Sequence, residues 1–229
     1  MIIRNIFLLY FLLLLIFNSS AQKKVSLKKQ RKIVAAKQIN ELKNGVLFVR
    51  LKTKQKTIEA MKKSGKESLA KKTAYKLKNR NLIITKSFKN YFDFCPVYFF
   101  YSSDSKHVRN NNLDSIIFLN DDLSTNKSIT ITNPTIFIAE FGNIEPNQTI
   151  TYQSTSHVPA TEKRNTYNGG TNFSFKAVVI KDEMFNQLQD PFPYYQRESS
   201  GLKEEKHIKG ALLALNARLH KFYKNQHKK

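Results

Sequence analysis

Four side chains stand where they could do chemistry together: Asp104, His107, Asp121 and Asp182. Each comes after an apolar run that reads as a strand, in company with Ser102, Ser103, Asn120 and Asp122. In a mostly parallel sheet, loops from several strands converge beyond the strands' carboxyl ends. Carboxylates gathered there would hold a hard cation through oxygen ligands, and an imidazole beside one would serve as a general base. That arrangement suggests a hydrolase-like enzyme. A structural reading competes with it, because Asp, Asn and Ser after strands are ordinary turn and cap residues. Asp182 in particular reads as the N-cap of a short helix over 182–188.

The second chemistry is that of charge. The chain of 229 residues carries a formal +22 at neutral pH. Between residues 22 and 92 the only acids are Glu41, Glu59 and Glu67, against a near-continuous scatter of lysines. Lys62, Lys63, Lys66, Lys71 and Lys72 are the candidate anion-binding residues. Such asymmetry points to an anionic polymer or an acidic protein as partner. Lysine greatly outnumbers arginine in this third, and an ammonium is a hydrated point charge without the guanidinium's bidentate fork. Loose binding through charge is therefore expected. The bland alternative is a solvated, solubilising surface.

Other chemistries find no support. There is no Gly-x-Ser-x-Gly, no His-Glu-x-x-His and no phosphate-cradling glycine loop after a strand. Five histidines and one cysteine offer no zinc spacing, and without a Cys-x-x-Cys pair no dithiol redox motif exists. No metal or other cofactor is expected. Cys95 precedes a strand rather than opening a helix, so it reads as a small buried hydrophobe.

The amino-terminal residues read as a secretory signal peptide over 1–21. Arg4 supplies the positive start, residues 6–17 the apolar run, and Ser19, Ser20 and Ala21 the small residues before cleavage ahead of Gln22. The apolar run is short for a bilayer span. Export to the periplasm or the exterior follows, and it argues against intracellular nucleic acid as the natural ligand. No later stretch approaches spanning length.

These residues need elements to position them. The central stretch, 94–122, holds two apolar runs, 97–101 and 115–119, both bounded by turn residues as buried strands are. Residues 46–51 form a strand whose apolar start implies burial on both faces. A helix is expected over 57–79 with a narrow seam of Ile58, Met61, Gly65, Leu69, Thr73 and Leu77. A strand over 82–88 would close a strand–helix–strand unit. Strands also fall at 136–141 and 175–180. A basic helical arm occupies 22–45, with Ile33, Ala36, Ile39 and Leu42 at helical spacing. Residues 145–172 read as a long polar loop. The PFPYY segment, Pro191–Tyr195, lays its rings on the core. Ile208, Leu212, Leu215, Leu219 and Phe222 stripe a C-terminal helix. The fold class is thus α/β, one domain over 46–229, with a mixed or mostly parallel sheet flanked by helices.

The Ala21-Gln22 junction, FDFCPVYFFYS at 92–102 and PFPYY at 191–195 together resemble uncharacterised exported proteins of Bacteroidota-type bacteria. That resemblance implies the exported address and brings no activity or site residues with it. Residues 116–123, IIFLNDDL, are similar to the strand and acidic turn of phosphatases with an aspartyl nucleophile. Here Asn120 opens the turn and glycine is missing, so that activity is set aside. The reading that results is a noncatalytic exported or envelope binding protein with a lysine-rich face. A hydrolase at the strand ends is the alternative, and a structural subunit docking through its C-terminal helix is a third.

Overall fold

Six residues, Val46–Leu51 (β1), form the middle of the sheet, and five of them are buried. The computed structural model describes residues 26–132, 135–145, 175–199 and 203–228. The other strands are Val97–Tyr101 (β2), Phe118–Leu119 (β3), Ile136–Asn143 (β4), Lys176–Lys181 (β5) and Tyr195–Arg197 (β6), in the order β3-β2-β1-β4-β5-β6. β1 is parallel to β2 and to β4. The pairs β2–β3, β4–β5 and β5–β6 are antiparallel. The sheet is therefore mixed, with a parallel centre, and the α/β class expected from the sequence holds.

Helices Leu27–Asn44 (α1), Gln55–Lys63 (α2), Glu67–Tyr91 (α3), Ser105–Arg109 (α4) and Glu204–Gln226 (α5) complete the described residues. The three long ones cover a single face. Ala35, Ile39 and Leu42 of α1, Ile84 and Phe88 of α3, and Ile208, Leu212, Leu215 and Leu219 of α5 share one cluster with Leu47, Val49 and Phe137. On the opposite face Val46, Phe48, Phe100, Phe118 and Ile138 pack with Val108 and Ile116 from short connecting segments. Alternate strand residues thus enter two different environments, as the pleat demands.

Several expectations need correction. Residues 82–88 are helical, the last turns of α3, and not a strand. Asn81, Ile84, Thr85, Ser87 and Phe88 are buried there, and the spacing of three and four from Asn81 through Ile84 and Thr85 to Phe88 belongs to a helix. The β-branched Ile83, Ile84 and Thr85 favour a strand only locally, and packing on the sheet overrides them. The strand that pairs in parallel with β1 is consequently β2, and the crossover between them carries both α2 and α3.

The helix expected over 57–79 is broken between α2 and α3, where Gly65 takes φ 73°, a conformation that suits glycine. Its seam stays largely uncovered: α2 buries no side chain, and Leu69 is 47% exposed. Only Phe118 and Leu119 of the run 115–119 are strand, since Leu113–Ser115 is a 3-10 turn. In α1, Ala35 replaces Ile33 and Ala36 on the buried stripe, and Ile33 is exposed. Residues 182–186 form a turn closed by the antiparallel Lys181–Gln187 bridge, with Asp182 Oδ1 accepting from the Asn186 backbone N–H at 2.7 Å. Asp182 therefore caps a turn and not a helix.

Other local readings hold. Phe192 and Tyr194 of the PFPYY segment are buried, and four of the five stripe residues of α5 are fully covered. Gly45, between α1 and β1, has no room for a side chain. A Cβ there would stand 2.3 Å from the Thr135 carbonyl oxygen and 2.7 Å from that of Glu41. The signal-peptide segment and most of the polar loop lie outside the described residues. No helix among the described residues is long and apolar enough to cross a membrane.

Candidate functional site

Strand direction decides where the predicted chemistry falls. Asp104 and His107 follow β2, so they stand at the carboxyl edge of the parallel strands. Asp121 and Asp182 follow β3 and β5, which run the other way, and so lie toward the opposite edge. Asp104 accepts the Ser103 hydroxyl at 2.9 Å and the Ile117 backbone N–H at 3.1 Å, bonds that shape a turn. Asp121 accepts from the Lys89 ammonium at 2.7 Å. That hydrogen bond draws its carboxyl below the usual range. Among the described residues no group of three or more His, Cys, Asp or Glu side chains could hold a metal ion. His220 instead sits 2.8 Å from Asp93 Oδ1.

The polar groups that do converge were not singled out in the sequence. Arg50 of β1 and Glu140 of β4 meet on the face away from α1, α3 and α5, NH1 to Oε2 at 2.6 Å. Lys181 of β5 approaches Glu140 Oε1 at 3.2 Å and Glu145 Oε1 at 2.7 Å. Arg50 Nε donates to Ser105 Oγ at 2.8 Å. Burial pushes the Glu140 carboxyl up. The Arg50 hydrogen bond and the charges of Lys181, Arg50 and Lys52 outweigh it and hold the group below its ordinary value. The sequence did carry a signal for this pair. Arg50 and Glu140 are single charges inside the otherwise apolar VLFVRL and IFIAEF, and lone charges in buried strands need partners.

Beside this pair, at the carboxyl ends of β1 and β4, opens a crevice of about 180 Å³. Its charged lining is Arg50, Lys52, Lys54, Arg80, Lys176 and Glu198, and Leu77, Ile84 and Phe141 give it apolar walls. The two adjacent strands leave in opposite directions, β1 toward β2 and β4 toward β5. Such a divergence opens a crevice in α/β sheets. Arg80 is held in place by Glu198 at 2.8 Å and by a short ion pair with Glu204, and its guanidinium lies 5.6 Å from the centre of the Phe141 ring.

The lysine cluster expected to bind anions surrounds the α2–α3 turn. Lys62, Lys63, Lys66, Lys71 and Lys72 are all exposed. Lys71 approaches Glu67 at 3.9 Å, an exposed pair of little energetic weight. The other four have no acidic side chain within ion-pair distance among the described residues, and Glu59 does not pair with Lys63 there. Comparison with known proteins adds no neighbour: no protein-family model, curated protein or solved structure matches the chain.

Proposed function

We propose that this is a noncatalytic exported or envelope protein that binds an anionic polymer through the lysines of the α2–α3 turn. The observation that carries the reading is that α2 buries no side chain. A helix with no buried face contributes little to the core, and yet here it presents Lys62 and Lys63 to solvent beside Lys66, Lys71 and Lys72. Four of those five charges are not neutralised by the described residues. A polyanion would neutralise them and release its condensed counterions, which gives affinity without chemical selectivity. The charged, apolar and small-residue order over 4–21 supports export. Phosphorylated or acidic glycans of the envelope are then the fitting partners.

The test is a titration of the purified protein with heparin across ionic strength. Affinity should fall on the order of a hundredfold between about 50 and about 200 mM salt if some five lysines engage. Reversing Lys62, Lys63, Lys66, Lys71 and Lys72 to Glu should abolish binding while the circular dichroism spectrum stays unchanged. Binding indifferent to salt, or surviving the reversal, would sink the reading. Mass spectrometry of the protein recovered from its native envelope should find Gln22 at the amino terminus.

A further inference from the structure

We infer that the crevice at the carboxyl ends of β1 and β4 is a second, separate site that holds a single phosphate or sulfate group. The lysine cluster at the α2–α3 turn uses other residues, so this inference stands apart from the polymer reading. Lys52 carries the argument. It lines the crevice half-buried, and its ammonium makes no hydrogen bond or ion pair among the described residues.

The nearby carboxylates are already engaged. Glu140 is held by Arg50 and Lys181, and Glu198 by Arg80. The remaining charged neighbours, Arg50, Lys54, Arg80 and Lys176, are all cationic. Removing a charge from water without a bonded partner is costly, and burial lowers the Lys52 ammonium's pKa against the opposing charge of Glu140, a carboxylate that Arg50 and Lys181 already share. A bound oxyanion would supply the missing countercharge.

Geometry narrows the ligand further. Gly142 forms part of the wall, and a Cβ there would stand 3.3 Å from Lys52 Nζ. Glycine therefore leaves the ammonium its space. The crevice of about 180 Å³ is smaller than the roughly 300–1,000 Å³ usual for drug-sized ligands. It suits one tetrahedral oxyanion with the first atoms of an ester, and not a whole nucleotide. Arg80 is held in place by two carboxylates that neutralise it, so it offers fixed N–H donors at low entropic cost and not net charge. The anion would come either as a free ion or as the ester group of a small molecule or glycan.

Isothermal titration calorimetry of the full chain at constant ionic strength tests this with sodium phosphate, sodium sulfate and glucose 6-phosphate. Saturable one-to-one binding of at least one probe is expected. A preference for the ester over the free ions would assign the source. Lys52→Met should weaken binding about tenfold or more, the loss of one charged hydrogen bond, without lowering the melting temperature. Lys52→Arg should keep most of the affinity. Lys54→Ala, at an exposed residue whose loss spares the core, should weaken binding by a smaller factor. Heparin affinity should be unchanged in Lys52→Met. No saturable binding of any probe overturns the inference, as does wild-type binding by both Lys52→Met and Lys54→Ala. Parallel loss of heparin affinity in Lys52→Met would overturn the separateness of the two sites.

Discussion

Arg50 and Glu140 face each other across adjacent parallel strands, 2.6 Å apart, on the side of the sheet away from α1, α3 and α5. Register makes them neighbours: Val49 pairs with Ala139, so the next residue of each strand points to the opposite face together. Lys181 extends the row from β5. Ser105, which accepts from Arg50 and donates to the Ser102 carbonyl oxygen, ties it to the end of β2. One buried carboxylate thus organises cations from two strands, and one of those cations also borders the crevice.

Glu140→Gln should destabilise the protein by about 3 kcal/mol, because it leaves Arg50 and Lys181 without their shared countercharge. Arg50→Met should cost less, since Lys181 still pairs with Glu140 and the Arg50 side chain is about a quarter exposed. Combining the two should cost less than the sum of the single changes. Urea denaturation of the four proteins, read as a double-mutant cycle, measures the coupling. Strict additivity would show that the pair contributes nothing.

The same carboxylate predicts a loss of stability in acid. Its folded-state pKa lies below its unfolded one. The stabilisation is therefore complete above the ordinary glutamate range and is lost as pH falls through the depressed folded value. Urea midpoints followed downward from neutral pH should drop steeply for the native sequence and less for Glu140→Gln. Equal slopes would assign the acid sensitivity to other groups.

Cys95 should be inert in the native protein. It is buried, and desolvation pushes its thiol up to about 12, against a smaller opposing effect of Lys43. At pH 8 the thiolate fraction is roughly one in ten thousand, and only the thiolate reacts readily. Iodoacetamide should leave Cys95 intact for hours in buffer and alkylate it within minutes in strong denaturant, with mass spectrometry as the readout. Rapid native labelling would show that this part of the core opens.

The sequence by itself determined the elements whose periodicity is local. β1, β2, β4 and β5 are apolar runs flanked by polar or turn residues, and the stripe on α5 repeats every three or four residues. Those patterns sit within one segment and need no partner to be read. Segment 82–88 escaped because three successive β-branched residues match a strand, while the sheet beneath them selects the helical face of Ile84 and Phe88. Strand direction escaped too. Alternation of apolar residues is the same whichever way a strand runs, so nothing in 115–122 or 175–182 told that Asp121 and Asp182 lie away from Asp104. The crevice belongs wholly to the tertiary structure. Arg50 and Glu140 are 90 residues apart, and Arg80 and Glu198 are 118 apart. A charge in an apolar strand announces that it needs a partner, but only the folded sheet decides which partner comes within reach, and that Lys52 bonds to none among the described residues.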